Sequence, residues 1–261
     1  MTTLAFAARD SATMTRRNLR HVLRYPVTLV VSVAVPVLLL LLFVGVFGGA
    51  LKAGLGAASH GAYIDYLVPG IILITAAYGA SATAMAVNRD SSEGIIGRFR
   101  TMAISPTSVL NGHVASALVR TLISVAVVIG VAIGLGFRPT ADAGRWLAAA
   151  GVTALVVLAL TWIAVPIGLA ARTAEGTSGF TLIVQALPFV SSAFVATDQM
   201  SGSVRWFAAN QPFTPVIDTL RGLLTGTPDG GTAFTAVAWC AGLALAGYLW
   251  ARVLSRRDLN R

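Results

Sequence analysis

Six long apolar runs leave this chain little choice of solvent. They fall at about 27–47, 67–87, 109–136, 147–171, 178–197 and 232–251, and each is near the roughly 20 residues that a helix needs to cross hydrocarbon. The runs are continuous rather than short and alternating, so they read as helices and not as barrel strands. A helix also satisfies every backbone N–H and C=O within one segment, which hydrocarbon demands. Charged residues are only 11% of the sequence and hydrophobic ones 56%, whereas a soluble domain carries about 25% charged residues. That composition excludes an ordinary soluble enzyme and a disordered chain. The expected fold is an all-α membrane protein with six transmembrane helices.

Arginine placement sets the expected orientation. Thirteen basic residues fall on the side of the N-terminus, the 88–108 loop, the 172–177 turn and the C-terminal tail, against five on the other side. Acidic residues divide evenly, five and five. Both termini are therefore expected in the cytoplasm of a multi-pass protein. The formal charge of +9 follows from this flanking pattern and does not point to nucleic acid. Cys240 is the single cysteine, so no internal disulfide is possible. No cleavable signal peptide is apparent, because the first apolar run is too long for one.

Three stretches between the runs carry pattern. Residues 4–24 place Arg9, Arg16, Arg17, Arg20 and Arg24 within an arc of about 100°, opposite Leu4, Ala8, Leu19 and Val22. This predicts a basic amphipathic helix in the headgroup region, ended by Tyr25-Pro26. The loop from Asn88 to Pro106 has Ile95, Ile96, Phe99 and Met102 at helical spacing among Arg89, Asp90, Glu93, Arg98 and Arg100. Ser91 or Ser92 is expected to cap a short helix there, with Pro106 ending it. An apolar stripe in a water-facing loop needs a partner surface, either lipid headgroups or a cytoplasmic protein. Residues 198–231 are too polar to span. Within them Asn210-Gln211-Pro212-Phe213-Thr214-Pro215 leads into an amphipathic helix with Asp218 and Arg221, which Gly226, Pro228, Gly230 and Gly231 are expected to stop. Tyr63 and Tyr66, before the second run, suit an aromatic belt.

The chemistry that is missing narrows the function. A P-loop needs a lysine after its glycines, and Lys52, the sole lysine, follows Leu51. His21, His60 and His113 lack metal-ligand spacing. A Ser81–His113 hydrolase site would need a geometry that the predicted depths do not give, and Ser81 fits a helix contact better. Arg120 is the only charge well inside a run and is expected to snorkel toward the cytoplasmic face. Without intramembrane carboxylates a proton- or sodium-coupled carrier is disfavoured. Gly130 and Gly134 read as close helix packing, Pro36, Pro166 and Pro188 as kinks, and Asn88, Arg89 and Asp90 as a solvated helix end.

Taken together, the basic N-terminal helix, the six runs, Tyr66-Leu67-Val68-Pro69-Gly70, the loop from Arg89-Asp90-Ser91-Ser92-Glu93-Gly94 through Arg98-Phe99-Arg100 to Ile104-Ser105-Pro106, and Asn210 to Pro215 with Arg221 resemble one family. It is the permease of the ATP-binding cassette type-2 exporters, in the daunorubicin-resistance branch, and the resemblance covers nearly the whole chain. Thr107 and Ser108 stand where that family often has basic residues.

The resemblance implies residues 1–25 as a cytoplasmic interfacial helix, 26–254 as the transmembrane domain with short external helices before the last span, and 255–261 as a cytoplasmic tail. It implies a coupling helix that docks on an ATPase, built from Arg89, Asp90, Glu93, Gly94, Ile95, Ile96, Arg98, Phe99, Arg100 and Met102. Arg9, Arg16, Arg17, Leu19, Arg20 and Arg24 would make the interfacial helix, and Pro212, Thr214, Pro215, Asp218 and Arg221 the external motif. The expected protein is no enzyme: it moves a hydrophobic drug, lipid or lipid-linked glycan outward across a bacterial plasma membrane. ATP and Mg sit on a separate ATPase subunit, and a second permease copy or paralogue and membrane lipids complete the partners. The alternative is a non-transporting assembly or anchoring subunit of the same architecture.

Overall fold

The computed structural model describes residues 11–18, 27–47, 60–94, 106–171, 173 and 175–257. Among these every regular element is helical: α1 (11–18), α2 (Val27–Leu42), α3 (His60–Ser92), α4 (Pro106–Gly134), α5 (Ala143–Ala170), α6 (Ser178–Ala186), α7 (Gly202–Asn210), α8 (Phe213–Thr225) and α9 (Gly230–Arg257). Four of them, α3, α4, α5 and α9, are long and apolar enough to cross a membrane, and a shorter apolar helix runs from Val30 to Val46. Its last turn, Phe43–Phe47, is a π-helix.

Helix α3 is the axis of the fold. Leu67, Val68, Ile71, Leu73, Ile74, Ala76, Ala77 and Ala84 are all fully buried, and from Leu67 to Ala77 the helix is enclosed on every side rather than along one stripe. It contacts α2, α4, α5, α6 and α8. Small residues set how near the neighbours come. A methyl group on Gly79 would stand 2.2 Å from Thr121 Oγ1 of α4, one on Gly168 of α5 would stand 2.5 Å from the Ala84 carbonyl, and one on Gly70 would stand 2.6 Å from Ala193 Cβ. Glycine at these places lets backbones approach in the way small residues do in membrane bundles. Helix α9 meets α5 likewise at Gly247, whose added methyl would stand 2.4 Å from the Trp162 carbonyl. Gly130 and Gly134, expected at a close contact, instead face open space, with nothing within 4 Å of an added methyl group.

The fifth predicted span, 178–197, is not one helix. Helix α6 is nine residues long and gives way to a 3₁₀ turn, Leu187–Val190. Pro188 lies at the start of that turn, where its missing N–H cannot continue an α-helical ladder. The segment still runs the length of α3, from Thr181 and Gln185 beside its Asp90 end to Ala193 against Gly70. Phe194 stacks on Phe43 at 4.4 Å and on Phe189 at 5.2 Å, fixing this irregular stretch to the end of α2.

Loop chemistry explains the remaining boundaries. Asp142 caps α5 by accepting from the Arg145 amide at 2.8 Å. Gly226 ends α8 in the left-handed region, at φ 91°, a conformation that costs glycine little. Gly230 and Gly231, expected among the stop signals, open α9. The Asp229 carboxylate accepts from the Thr232 hydroxyl at 2.6 Å and the Thr232 amide at 2.9 Å. Those bonds hold its pKa below the ordinary carboxylate value, the Thr232 hydroxyl contributing most.

Candidate functional site

The two ends of α3 carry the polar residues that the sequence singled out, and they are built differently. At the C-terminal end, Asn88 is buried and donates from Nδ2 to the Ala171 carbonyl at 2.6 Å and the Gly168 carbonyl at 3.3 Å. It caps the last turn of α5, whose final carbonyls have no partner within their own helix. The expected solvated position is thus a fixed joint between α3 and α5.

Two residues on, Asp90 ties three helices. Its Oδ2 accepts from Arg17 of α1 at 3.1 Å and lies 3.4 Å from His113 Nε2 of α4, within ion-pair reach but misaligned for a hydrogen bond. Met14 of α1 is buried, and an added methyl on Gly112 of α4 would meet its Cβ at 2.5 Å. Helix α1 is therefore docked on the start of α4 by packing and on the end of α3 by charge. Arg16 remains exposed. Arg9, Leu19, Arg20 and Arg24 lie outside the described residues.

Ser91 and Ser92 do not cap a new helix: they are the last residues of α3, and the Ser92 hydroxyl donates back to the Arg89 carbonyl at 3.1 Å. Gly94, at φ 72°, closes the helix in a left-handed turn. Glu93 and Gly94 are exposed in that turn. Ile95, Ile96, Arg98, Phe99, Arg100 and Met102 lie outside the described residues. Pro106 begins α4, since proline's fixed φ suits a first turn; the short helix expected before it lies outside the described residues.

Beside this joint a cavity of about 490 Å³ opens between α1, α2, α3, α4 and α6. Arg17, Arg89, Asp90, Glu93 and His113 lie along it, and so does Arg120. Arg120 does not snorkel. Its Nη2 donates to the Gly79 carbonyl and to Thr83 Oγ1, both at 3.2 Å. The reason is steric: Gly79 lets α4 come close, which brings its carbonyl, already accepting from the Thr83 hydroxyl at 2.8 Å, within reach of Arg120. Ser81 also lines the cavity, but its hydroxyl donates to the Ala77 carbonyl at 3.0 Å while His113 faces Asp90. The two do not form a nucleophile–base pair.

At the other end of α3 a network gathers the external motif. Arg221 of α8 donates from Nη1 to Asp218 Oδ1 at 2.6 Å and from Nη2 to the Ser192 carbonyl at 2.6 Å, and it reaches the Tyr66 carbonyl at 3.3 and 3.4 Å. Its guanidinium lies 3.8 Å above the Tyr66 ring. The Tyr66 hydroxyl donates to the Ser192 carbonyl at 2.9 Å, and the Ser192 hydroxyl to Asp218 at 2.7 Å. Gln211 Nε2 donates to the Val190 carbonyl, and Thr214 Oγ1 to the Ala208 carbonyl at 2.6 Å. Pro212 precedes α8 and Pro215 is buried in its first turn. Tyr66 is thus a clamp residue rather than a member of a loose belt. The network feeds the carbonyls that the broken fifth segment leaves without helical partners, which irregular backbone at membrane depth requires.

Among the described residues no three His, Cys, Asp or Glu side chains cluster as metal ligands. The sequence reading missed the Asn88 joint, the Asp90–His113 approach and the partnership of Tyr66 with Arg221. These pairings span from 23 to 155 positions, and no local spacing encodes them.

Comparison with known proteins matches residues 10–225 to the ABC-2 type transporter family. The chain is similar to the daunorubicin resistance ABC transporter permease protein DrrB1 of Streptomyces coeruleorubidus, being 29% identical over 246 residues that cover 92% of this chain and 82% of that protein. It is also similar to the probable doxorubicin resistance ABC transporter permease protein DrrC from two strains of Mycobacterium tuberculosis, at 23% identity over 231 residues, 88% of this chain and 82% of theirs. The matched region runs from the docked N-terminal helix through the Arg221 clamp, and on that ground the chain belongs to the ABC-2 type transporter family of multi-pass membrane proteins.

Proposed function

We propose that this chain is the membrane permease of an exporter, moving a hydrophobic or amphiphilic molecule outward with energy released on a separate ATPase. The single observation that carries the reading is the three-way joint at the end of α3. The turn at Glu93 and Gly94 leads straight into the segment proposed to dock on the ATPase. Asn88 and Asp90 fasten that turn's own helix to α5, α1 and α4. A displacement delivered at Glu93 therefore reaches several helices at once rather than bending one loop. In this reading the chain crosses the membrane six times, with the broken α6 segment as the fifth crossing and both termini on the ATPase side of a bacterial plasma membrane. It works beside a second copy or a paralogue.

ATP and Mg belong to the partner. Lys52, the sole lysine, follows Leu51, so the chain offers no lysine-bearing glycine loop for a triphosphate. The names of the relatives support a drug-like or lipid-like cargo without choosing between them.

The test is co-expression with an ATPase encoded beside it. Wild type should co-purify with that ATPase and lower cellular accumulation of a fluorescent anthracycline. Glu93→Lys or Phe99→Ala should insert normally and lose efflux by about ten-fold or more, the effect of about 1.4 kcal/mol of lost coupling. Full ATP-dependent efflux in those variants would end the coupling reading. An ATPase complex that forms but moves no amphiphile would instead favour an anchoring subunit.

A further inference from the structure

We propose that the cavity beside α3 binds the anionic head of an amphiphile, a phosphate or carboxylate group, with Arg120 as its counter-charge. Arg120 is only 8% exposed, and a guanidinium keeps its charge in a protein. It has five N–H donors, yet among the described residues only the Gly79 carbonyl and the Thr83 hydroxyl accept from it, and its Nε has no partner there. Both acceptors are neutral, and among the described residues no carboxylate pairs with it. Such a charge is costly to bury unless an anion joins it.

The chain's own carboxylates do not fill that role. Asp90 is engaged by Arg17 and His113, seven residues and so about 10 Å along α3 from Thr83. Glu93 stands further out still, exposed in the closing turn. Arg17 and Arg89 at the same opening favour an approaching anion over a cation. Tyr78, Ala82, Val31 and Met85 supply an apolar wall, with Val31 and Met85 about half exposed. A bare anion would satisfy Arg120 and leave that wall wet, whereas an anionic head on an apolar body covers both.

The proposal does not depend on the export reading, because binding is measured on the purified chain without an ATPase. The protein in neutral detergent is offered phosphatidic acid, the matching phosphatidylcholine, inorganic phosphate and dodecyltrimethylammonium. Retention is read by native mass spectrometry and by the thermal-unfolding midpoint. Wild type should retain phosphatidic acid about ten-fold or more over phosphatidylcholine or the cation, the scale of one charge-assisted hydrogen-bonded contact. Arg120→Gln should erase that preference and Arg120→Lys keep part of it. Ala82→Phe, which fills the cavity without touching the Arg120 bonds, should also lose phosphatidic acid and carries the test if Arg120→Gln does not fold.

A midpoint raised by inorganic phosphate in wild type and not in Arg120→Gln would show that the head alone suffices. An unmoved midpoint with phosphatidic acid still retained would show that the apolar body is needed. Equal retention of phosphatidic acid and phosphatidylcholine by wild type, or undiminished retention in a folded Arg120→Gln or Ala82→Phe protein, overturns the proposal.

Discussion

Two arginines, Arg221 and Arg120, contact the same helix in opposite ways, Arg221 near its N-terminal turns at Tyr66 and Arg120 past its middle at Gly79 and Thr83. Arg221 meets a carboxylate, two backbone carbonyls and an aromatic face, and the Asp218 carboxylate, the Ser192 carbonyl and the Tyr66 side chain each have a second partner. Arg120 meets one carbonyl and one hydroxyl, leaves Nε unused and borders a cavity. A saturated network is rigid and sensitive to loss of any member, while an unsaturated charge beside open space is available to something else. The contrast separates a network that holds helices together from a charge left beside open space.

The largest expected effect lies in the clamp. Arg221→Met should lower stability by about 3 kcal/mol, because it removes the charge-assisted hydrogen bonds to Asp218 and to two carbonyls together, and the unfolding midpoint in detergent checks it. Arg120→Gln should cost far less, since its acceptors are neutral. A loss as great as that of Arg221→Met would erase the contrast between the two arginines.

Gly79→Val comes next. Its Cβ would meet Thr121 Oγ1 at 2.2 Å, so α4 must move, at about 1–3 kcal/mol. The movement should also detach Arg120 from the Gly79 carbonyl, visible as faster labelling of a cysteine placed at Ser116 on the cavity wall. Third, Arg17→Ala should cost no more than about 1 kcal/mol, because its side chain is 38% exposed and such pairs are weak. The sharper readout is proteolysis near α1, which should quicken if Asp90 holds that helix down.

The smallest effect is the pH response of the α9 cap. The Asp229 pKa is lowered on folding, so its contribution is complete above the ordinary carboxylate value and fades as pH falls through the lowered one. Amide exchange at Thr232, corrected for intrinsic rate, should rise only in that acidic window. A cap that weakened as pH rose from neutrality would contradict the assignment.

Much of the fold was legible because hydrocarbon imposes local rules. The runs at 109–136, 147–171 and 232–251 correspond to α4, α5 and α9 within a few residues. The second run extends at both ends into α3, whose polar flanks, Asp65 and Asn88 to Ser92, remain helical. Hydropathy cannot follow a helix past the apolar zone, and so it read Asn88 to Asp90 as a solvated end. It read Pro188 as a kink and not as the end of α-helix in the fifth run, because the Gln211 and Arg221 bonds that make the break tolerable come from residues more than twenty positions away. The coupling residues beyond Gly94 rest on the sequence pattern alone.

The sequence by itself determined the solvent, the helical class and which residues carry charge, since transfer of apolar side chains and backbone pairing depend on composition and run length. Only the tertiary structure decided what those charges do. Asp90 and Asp218 are both aspartates within helices, and Arg120 and Arg221 are both arginines within helices. Which of them is satisfied and which is left facing a cavity depends on how near neighbouring backbones come at glycines such as Gly79 and Gly70, a distance that emerges only when the helices pack.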